Sequence, residues 1–486
     1  MASPFRVVVV GAGVSGLAAS HCLHAAGIEH VVLERRSEVA PPEGASITIY
    51  PQVLRALHQL GCYEPLTKAA TPHDRAWTRW ADGSVAANSG LYDYLKENHG
   101  VDILPLERRK FLEVMYERLP DKNVVRTSSK IKEIKHLASG VEVELSDGSI
   151  ERGDMVLGCD GVHSFVRSLM WDQAEATSPG LIPAKEKTAF KTYWKCLIGI
   201  GPPASSLGGS DSTMVHNTGY SHLVLAQPHC TFFFVFFLLD KPFNASDRVR
   251  YTDEDAEALA ATVADDPLSE SLTFGDLWRR RVRGALISLE EGILEHWHHG
   301  RIALAGDAVH KMTPNIALGG NTAIEDIIVL TNHLHHLLQT QPRPDTASLA
   351  KTFAAYQAER MARIKWATNT SGLMSRIQAQ TTTFHKLGAW LLVRLPDRGA
   401  ADKLLADYIR AGPKLDFLRV QGFPRGKLAW GDEGGDGRGL GGEAVVRSGA
   451  HQGAVGRLLL TVGAALGVAA LASATRHVLF PLVAGA

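Results

Sequence analysis

The chain has 486 residues, 45% of them hydrophobic and 21% charged, and its 51 basic and 51 acidic residues cancel to a formal net charge of zero. That length suits two domains with sizeable cores, and the lack of a basic block argues against a nucleic-acid partner. Five scattered cysteines, odd in number and without CxxC spacing, argue against a disulfide framework or a zinc site and fit a reducing compartment.

The first element is an apolar run, Val7 to Val10, that leads into Gly11-Ala12-Gly13-Val14-Ser15-Gly16 and then into helical Leu17 to Leu23. The run is a strand's length, not that of a signal peptide. A second apolar strand, His30 to Leu33, ends on Glu34. This order is what a dinucleotide site needs. Gly11 permits the tight turn, Gly13 lets the backbone approach a pyrophosphate, and Gly16 lets helix pack on strand. The helix N-terminus offers free N–H groups to the phosphates. Glu34 can accept hydrogen bonds from two ribose hydroxyls.

Helices follow over about 51–60 and 107–119, the latter stopped by Pro120. Strands are expected at 124–127, 131–137 and 141–145, with Asp147-Gly148 as a hairpin turn. A buried strand, Met155 to Gly158, runs into Asp160-Gly161-Val162-His163-Ser164, with Arg167 beyond. From about 190 to 239 the texture changes to longer β runs, the last holding Phe232, Phe233, Phe234, Phe236 and Phe237. Burial on both faces of a sheet accounts for such a run, and one face lining an apolar cavity is the functional alternative. Gly199-Ile200-Gly201 mimics a second glycine motif, but Pro202 and Pro203 spoil the helix start. Helical patterning returns at 253–264. Arg301 to Asp307 reads as strand and turn, and a long helical tract runs from Gly319 to beyond Ala411. Sheet elements of the nucleotide half are thus split around a β-rich insert. Glycines crowd 434–453 as a flexible linker. Leu458 to Thr475 is eighteen residues without a charge, about the minimum for a bilayer span.

Three separated signals coincide: the GxGxxG turn with Glu34, the Asp160-Gly161 turn, and Gly306-Asp307-Ala308-Val309-His310 followed by Pro314. Together they resemble the group A flavin-dependent monooxygenases, whose relatives include aromatic hydroxylases of the salicylate and p-hydroxybenzoate type. The stretches Gly306 to Asn315 and Gly319 to Asp326 more narrowly resemble fungal FAD-dependent epoxidases of indole-diterpene and meroterpenoid pathways. The resemblance implies an α/β fold with a Rossmann-type FAD-binding domain in two parts, 1–180 and 291–370. Between them lies a β-rich substrate domain at 181–290. A helical region at 371–433, a Gly-rich linker at 434–456 and a membrane-anchoring tail at 457–486 complete the expected order.

The same resemblance implies roles for particular residues. Glu34 would hold the adenosine ribose of FAD, Arg108 would lie near the phosphates, and Asp307 would meet the ribityl chain or pyrophosphate. Gly320 and Asn321 would begin a helix facing the flavin, and Thr48 would lie against the FAD where relatives often have a small residue. Asp160 with Gly161 would serve FAD and NAD(P)H together. Lys195 and Tyr220 would be the catalytic pair on the sheet facing the flavin. His310 reads as a packing or hydrogen-bonding residue, not a metal ligand. The implied reaction is oxygen transfer from O2, driven by NAD(P)H, to an alkene of an apolar prenylated or terpenoid substrate. Aromatic-ring hydroxylation is the alternative, followed by a flavin dehydrogenase or oxidase and a non-catalytic scaffold.

Overall fold

Four consecutive valines dictate the centre of the fold. In the computed structural model, which describes residues 4–433 except 43, 248 and 397, the strand Arg6–Val10 is buried on both faces. A β-branched run of this kind belongs in the middle of a parallel sheet. It pairs in parallel with Glu29–Leu33 on one side and Met155–Gly158 on the other. Val125–Arg126 and Ile302–Leu304 extend the sheet in parallel at its two sides, and the antiparallel pair His298–His299 closes one edge. Two neighbours in this sheet, Met155–Gly158 and Ile302–Leu304, thus come from opposite ends of a long excursion of the chain.

That excursion supplies five strands of an eight-stranded sheet, the other three coming from before and after it. The spatial order of the sheet is His310–Lys311, Arg283–Ile293, Lys191–Gly201, Thr231–Asn244, Tyr220–Ala226, Ser212–His216, Ala76–Trp80 and Val85–Ser89. The would-be second glycine motif at 199–201 lies inside one of these strands. The phenylalanine run divides between the faces, because alternate residues of a strand point opposite ways. Phe233 and Val235 face the helices Asp253–Ala261 and Phe274–Arg279, packing with Phe274 and Trp278. Phe232, Phe234 and Phe236 face the other way, clustered with Trp194, Cys196 and Leu225, and with Ala45 and Ala379 from outside the sheet.

The long helical tract is four helices, Gly319–Thr340, Thr346–Gln378, Thr383–Leu392 and Ala400–Arg410. Pro342 and Pro344 break the first junction, and the Asp345 carboxylate caps the next helix by accepting the Ser348 N–H at 2.8 Å. Among the described residues no helix is long and apolar enough to cross a membrane. The linker and tail expected at 434–486 lie outside the described residues.

Candidate active site

The glycine turn closes as its sequence requires. Gly11 has a φ of +100°, its N–H donates to Leu33 O at 2.8 Å, and a Cβ there would sit 2.7 Å from the Cys159 carbonyl oxygen. A Cβ on Gly16 would fall on the Gly11 carbonyl. Gly13 differs: nothing lies within 4 Å of where its Cβ would be, so the turn keeps one open side. That opening, beside the N-terminus of the helix Val14–Ala25, is the cradle a pyrophosphate fits. Glu34 is buried at the end of its strand. One carboxylate oxygen accepts the Ala12 N–H at 2.8 Å and the other accepts the Arg36 N–H at 2.9 Å, which ties the acid to the turn.

The third motif meets the first. Gly306 has a φ of +62° and a Cβ there would come within 2.5 Å of Ser15 Oγ, so the turn before Asp307 lies directly against the first helix. Asp307 is partly exposed and pairs with Lys311 one turn on. Burial alone would lower the Lys311 ammonium, but Asp307 and Glu290 outweigh it and raise it. The helix Gly319–Thr340 starts alongside. A Cβ on Gly320 would approach Ile47 Cδ1 to 2.8 Å, and the first intrahelical bond here is Thr322 N–H to Leu318 O at 2.9 Å. The preceding amides of Gly319, Gly320 and Asn321 are therefore the helix's free N-terminal donors.

Asn321 itself is a brace. Its side-chain NH2 donates to Thr48 O and Ala317 O, each at 2.8 Å, and its oxygen accepts the Tyr50 N–H at 2.9 Å. Thr48 is thereby fixed through its backbone on the strand Ser46–Ile49. Arg108 opens the helix Arg108–Glu117, its Cδ 3.4 Å from where a Gly44 Cβ would be, on the same side as Ala45. Arg109 turns instead to Glu113 at 3.0 Å.

Asp160 is also occupied by the fold. Its carboxylate accepts Ser164 Oγ–H at 2.5 Å and the N–H groups of Phe165 and Val166 at 2.6 and 3.1 Å, capping the helix Phe165–Thr177. Burial nonetheless raises its carboxyl. Gly161, at φ +83° with open space around its Cβ position, is the part of this motif that leaves room. Arg167 links the second and third motifs, donating to Val162 O and Ala308 O at 2.8 Å each.

Lys195 and Tyr220 come together on the eight-stranded sheet. They share one cross-strand row through Phe237, but pleat alternation sets them on the helix-covered face with Leu197 and Val224. Tyr220 stacks on Phe237 at 5.4 Å, and burial, then Asp266, push its phenol upward. Residue counting along a strand does not reveal which face points where, and Thr192–Trp194 holds an irregularity that shifts the register. The face that meets Ala45 carries Phe232, Phe234 and Phe236.

Beneath the site is a charge network that sequence reading missed. Asp326, fully buried, accepts from His310 Nε2 at 2.6 Å, Gly306 N–H at 2.9 Å and Arg360 Nε at 2.8 Å. Glu325 beside it pairs with Arg360 at 2.9 Å and Arg363 at 2.6 Å. Burial alone would raise the Asp326 carboxyl, but His310 and Arg360 outweigh it and hold it low. The acidic pair on the motif helix was legible as Glu325-Asp326, whereas its partners on the next helix carried no local signal.

A bent glycine turn, an acid-tipped second strand and a helix start with free amides, gathered beside an apolar sheet, fit a flavoprotein oxygenase. The FAD binding domain family matches residues 5–194 and 240–371, and the chain belongs to the FAD-dependent monooxygenases. It is 38% identical over 435 residues to the FAD-dependent monooxygenase DEP2 of Alternaria brassicicola, covering 88% of this chain and 82% of that one. It is 37% identical over 435 residues to the FAD-dependent monooxygenase ausM of Penicillium brasilianum, covering 88% and 90%. The fold is shared with HpxO of Klebsiella pneumoniae, solved with FAD and uric acid, at a TM-score of 0.68 and 22% identity over 84% of this chain and 97% of that one.

Proposed function

We propose that this monooxygenase epoxidises an alkene of an apolar prenylated or terpenoid substrate. The observation that carries the reading is the sheet face on which Phe232, Phe234 and Phe236 cluster with Leu225 and Ala45. An isolated alkene needs no proton removed before oxygen transfer, and the two thiols of this cluster, Cys196 and Cys230, are both pushed up by burial. A phenol hydroxylase benefits from a base. Bound FAD, reduced by NAD(P)H, supplies the activated oxygen. One atom of O2 enters the alkene and the other leaves as water, with two electrons from NAD(P)H balancing the step.

The chain's own residues bind and orient. Glu34 takes the ribose, Gly13 and Arg108 the phosphates, and Asp307 the sugar-alcohol chain once Lys311 yields it. Free amides at Gly319 to Asn321 favour negative charge on the reduced ring. Asp160 and Asn321 act as positioning residues, holding the Gly161 turn and the Thr48 strand. The groove of about 520 Å3 beside Val162, His163 and Lys311, with Arg250 on its wall, is the place for NAD(P)H. The uncharged run Leu458 to Thr475 supports a membrane tether near a greasy substrate pool. The test is incubation with prenylated probes, NADPH and 18O2, followed by mass spectrometry. One heavy oxygen at a former alkene is the expected product. Label in the aromatic ring, or oxidised product without label, overturns the reading.

A further inference from the structure

The apolar sheet face has a polar end. A single cross-strand row runs Trp80, His216, Ser221, Phe236, Cys196, each pair in register on neighbouring strands and so on one face. At the Trp80 end this face borders a cavity of about 420 Å3 lined by Trp80, His216, Asn217, Gln380, Lys386 and Trp390. The helix Thr383–Leu392 supplies its far wall, and the turn before it is pinned to the sheet by the Gly219 N–H donating to Ala379 O at 2.7 Å.

Two side chains of this lining, and one beside them, are buried with a polar atom lacking a hydrogen-bond partner: His216 Nδ1 and Asn217 Nδ2 on the cavity, and Ser221 Oγ opposite His216 on the next strand. Their residues are 3%, 4% and 0% exposed. Buried polar groups are almost always satisfied, so two unmet ones on one cavity with a third next to them call for a partner. The chemistry of that partner is constrained. The amide Nδ2 can only donate, whereas a hydroxyl and a neutral imidazole can donate or accept. Burial lowers His216 to about 4, so the ring is uncharged near neutral pH. None of the three brings a charge to pair with an ion, and the charged groups of the lining, Lys386 and Asp82, are of opposite sign. A neutral oxygen function fits them. His216 stands two strand spacings from Phe236, about 10 Å, which sets the reach of the ligand.

We propose that His216, Asn217 and Ser221 form a substrate subsite for a hydroxyl or carbonyl at the end of the substrate remote from the oxidised bond, with the hydrocarbon lying along Phe232, Phe234 and Phe236. This rests on the epoxidase reading for the apolar part of the substrate. The ligand is then an oxygenated head on a prenyl tail, not a plain hydrocarbon.

The test uses the FAD-loaded full chain and two probes, farnesylhydroquinone and the hydrocarbon farnesylbenzene, with dissociation constants read from tryptophan fluorescence. The wild type is expected to prefer the hydroquinone by about 10-fold or more, the worth of one or two hydrogen bonds to otherwise unmet groups. Ser221→Ala and Asn217→Leu should cut that preference to about 3-fold or less, with farnesylbenzene affinity unchanged. His216→Phe should do the same, and Ser221→Ala, which only deletes a hydroxyl, keeps the test open if the larger change impairs folding. Equal affinity for the two probes, no binding of either, or full preference in all three variants overturns the subsite, an ordered water then being the partner of these groups. Loss of 18O incorporation with the preference intact sinks only the epoxidase reading, and incorporation without preference sinks only the subsite.

Discussion

Gly13 and Gly16 sit three residues apart in one turn, and the structure assigns them opposite liabilities. Gly13 has φ −78° and ψ −162°, a conformation open to alanine, and its Cβ would meet nothing within 4 Å. Gly13→Ala should therefore leave the stability of the cofactor-free protein within about 0.5 kcal/mol, since nothing in the fold resists the methyl. The same methyl enters the space where the pyrophosphate must approach the backbone. An overpacking cost of about 1–3 kcal/mol then appears in binding alone, a loss of FAD affinity of about 10- to 100-fold. Gly16→Ala reverses this. Its methyl would fall on the Gly11 carbonyl, so helix and turn must part before any cofactor arrives. That costs stability by about 1–3 kcal/mol or more. Thermal unfolding of the apoprotein and FAD titration by quenching of flavin fluorescence separate the two effects. Unchanged FAD affinity in Gly13→Ala, or equal thermal destabilisation in both variants, would refute the placement of the cofactor against this turn.

Further outcomes follow from the same contacts. Asn321→Ala leaves the Tyr50 N–H and the Thr48 carbonyl without their partner, which should cost about 1–3 kcal/mol and weaken FAD binding; chemical denaturation and flavin titration check both. Asp326→Asn removes the charge that Arg360 and His310 share, costing about 3 kcal/mol as a broken buried pair, visible as a lower melting temperature. Stability should also fall with acid. Burial lowers His73 and His216 to about 4, so between the ordinary histidine value and pH 4 the unfolded chain binds more protons than the native one, and stability rises with pH across that window. At pH 5 the loss relative to pH 7.5 is on the order of 2 kcal/mol per histidine, and a flat denaturation midpoint between these pH values would contradict it.

The nucleotide half was legible because its demands are local. Gly11, Gly13, Gly16 and Glu34 occupy consecutive elements, and strand period, turn chemistry and helix start each leave a mark within a few residues. Met155–Gly158 and Ile131–Leu137 were readable for the same reason, as short runs of plain period. The long helical tract was not divisible by periodicity alone, although Pro342 and Pro344 marked its first break. What stayed hidden is set by tertiary pairing. Which face of the sheet Lys195 and Tyr220 occupy depends on register across three strands. That Asp160 spends its oxygens on a helix cap is settled within six residues, whereas the bonding of Asn321 to the strand beside it depends on neighbours the sequence places far away. His310 was read as a packing or hydrogen-bonding residue, and its partner Asp326 emerged only with the fold.

Because Met155–Gly158 and Ile302–Leu304 lie side by side, most strands of the eight-stranded sheet belong to a detour leaving and rejoining the nucleotide scaffold at adjacent points. Such an architecture separates two evolutionary problems. Residues along the detour can drift toward new hydrocarbons while the seam where it departs and returns keeps its geometry, so relatives can share one oxidative engine and diverge in what they admit to it.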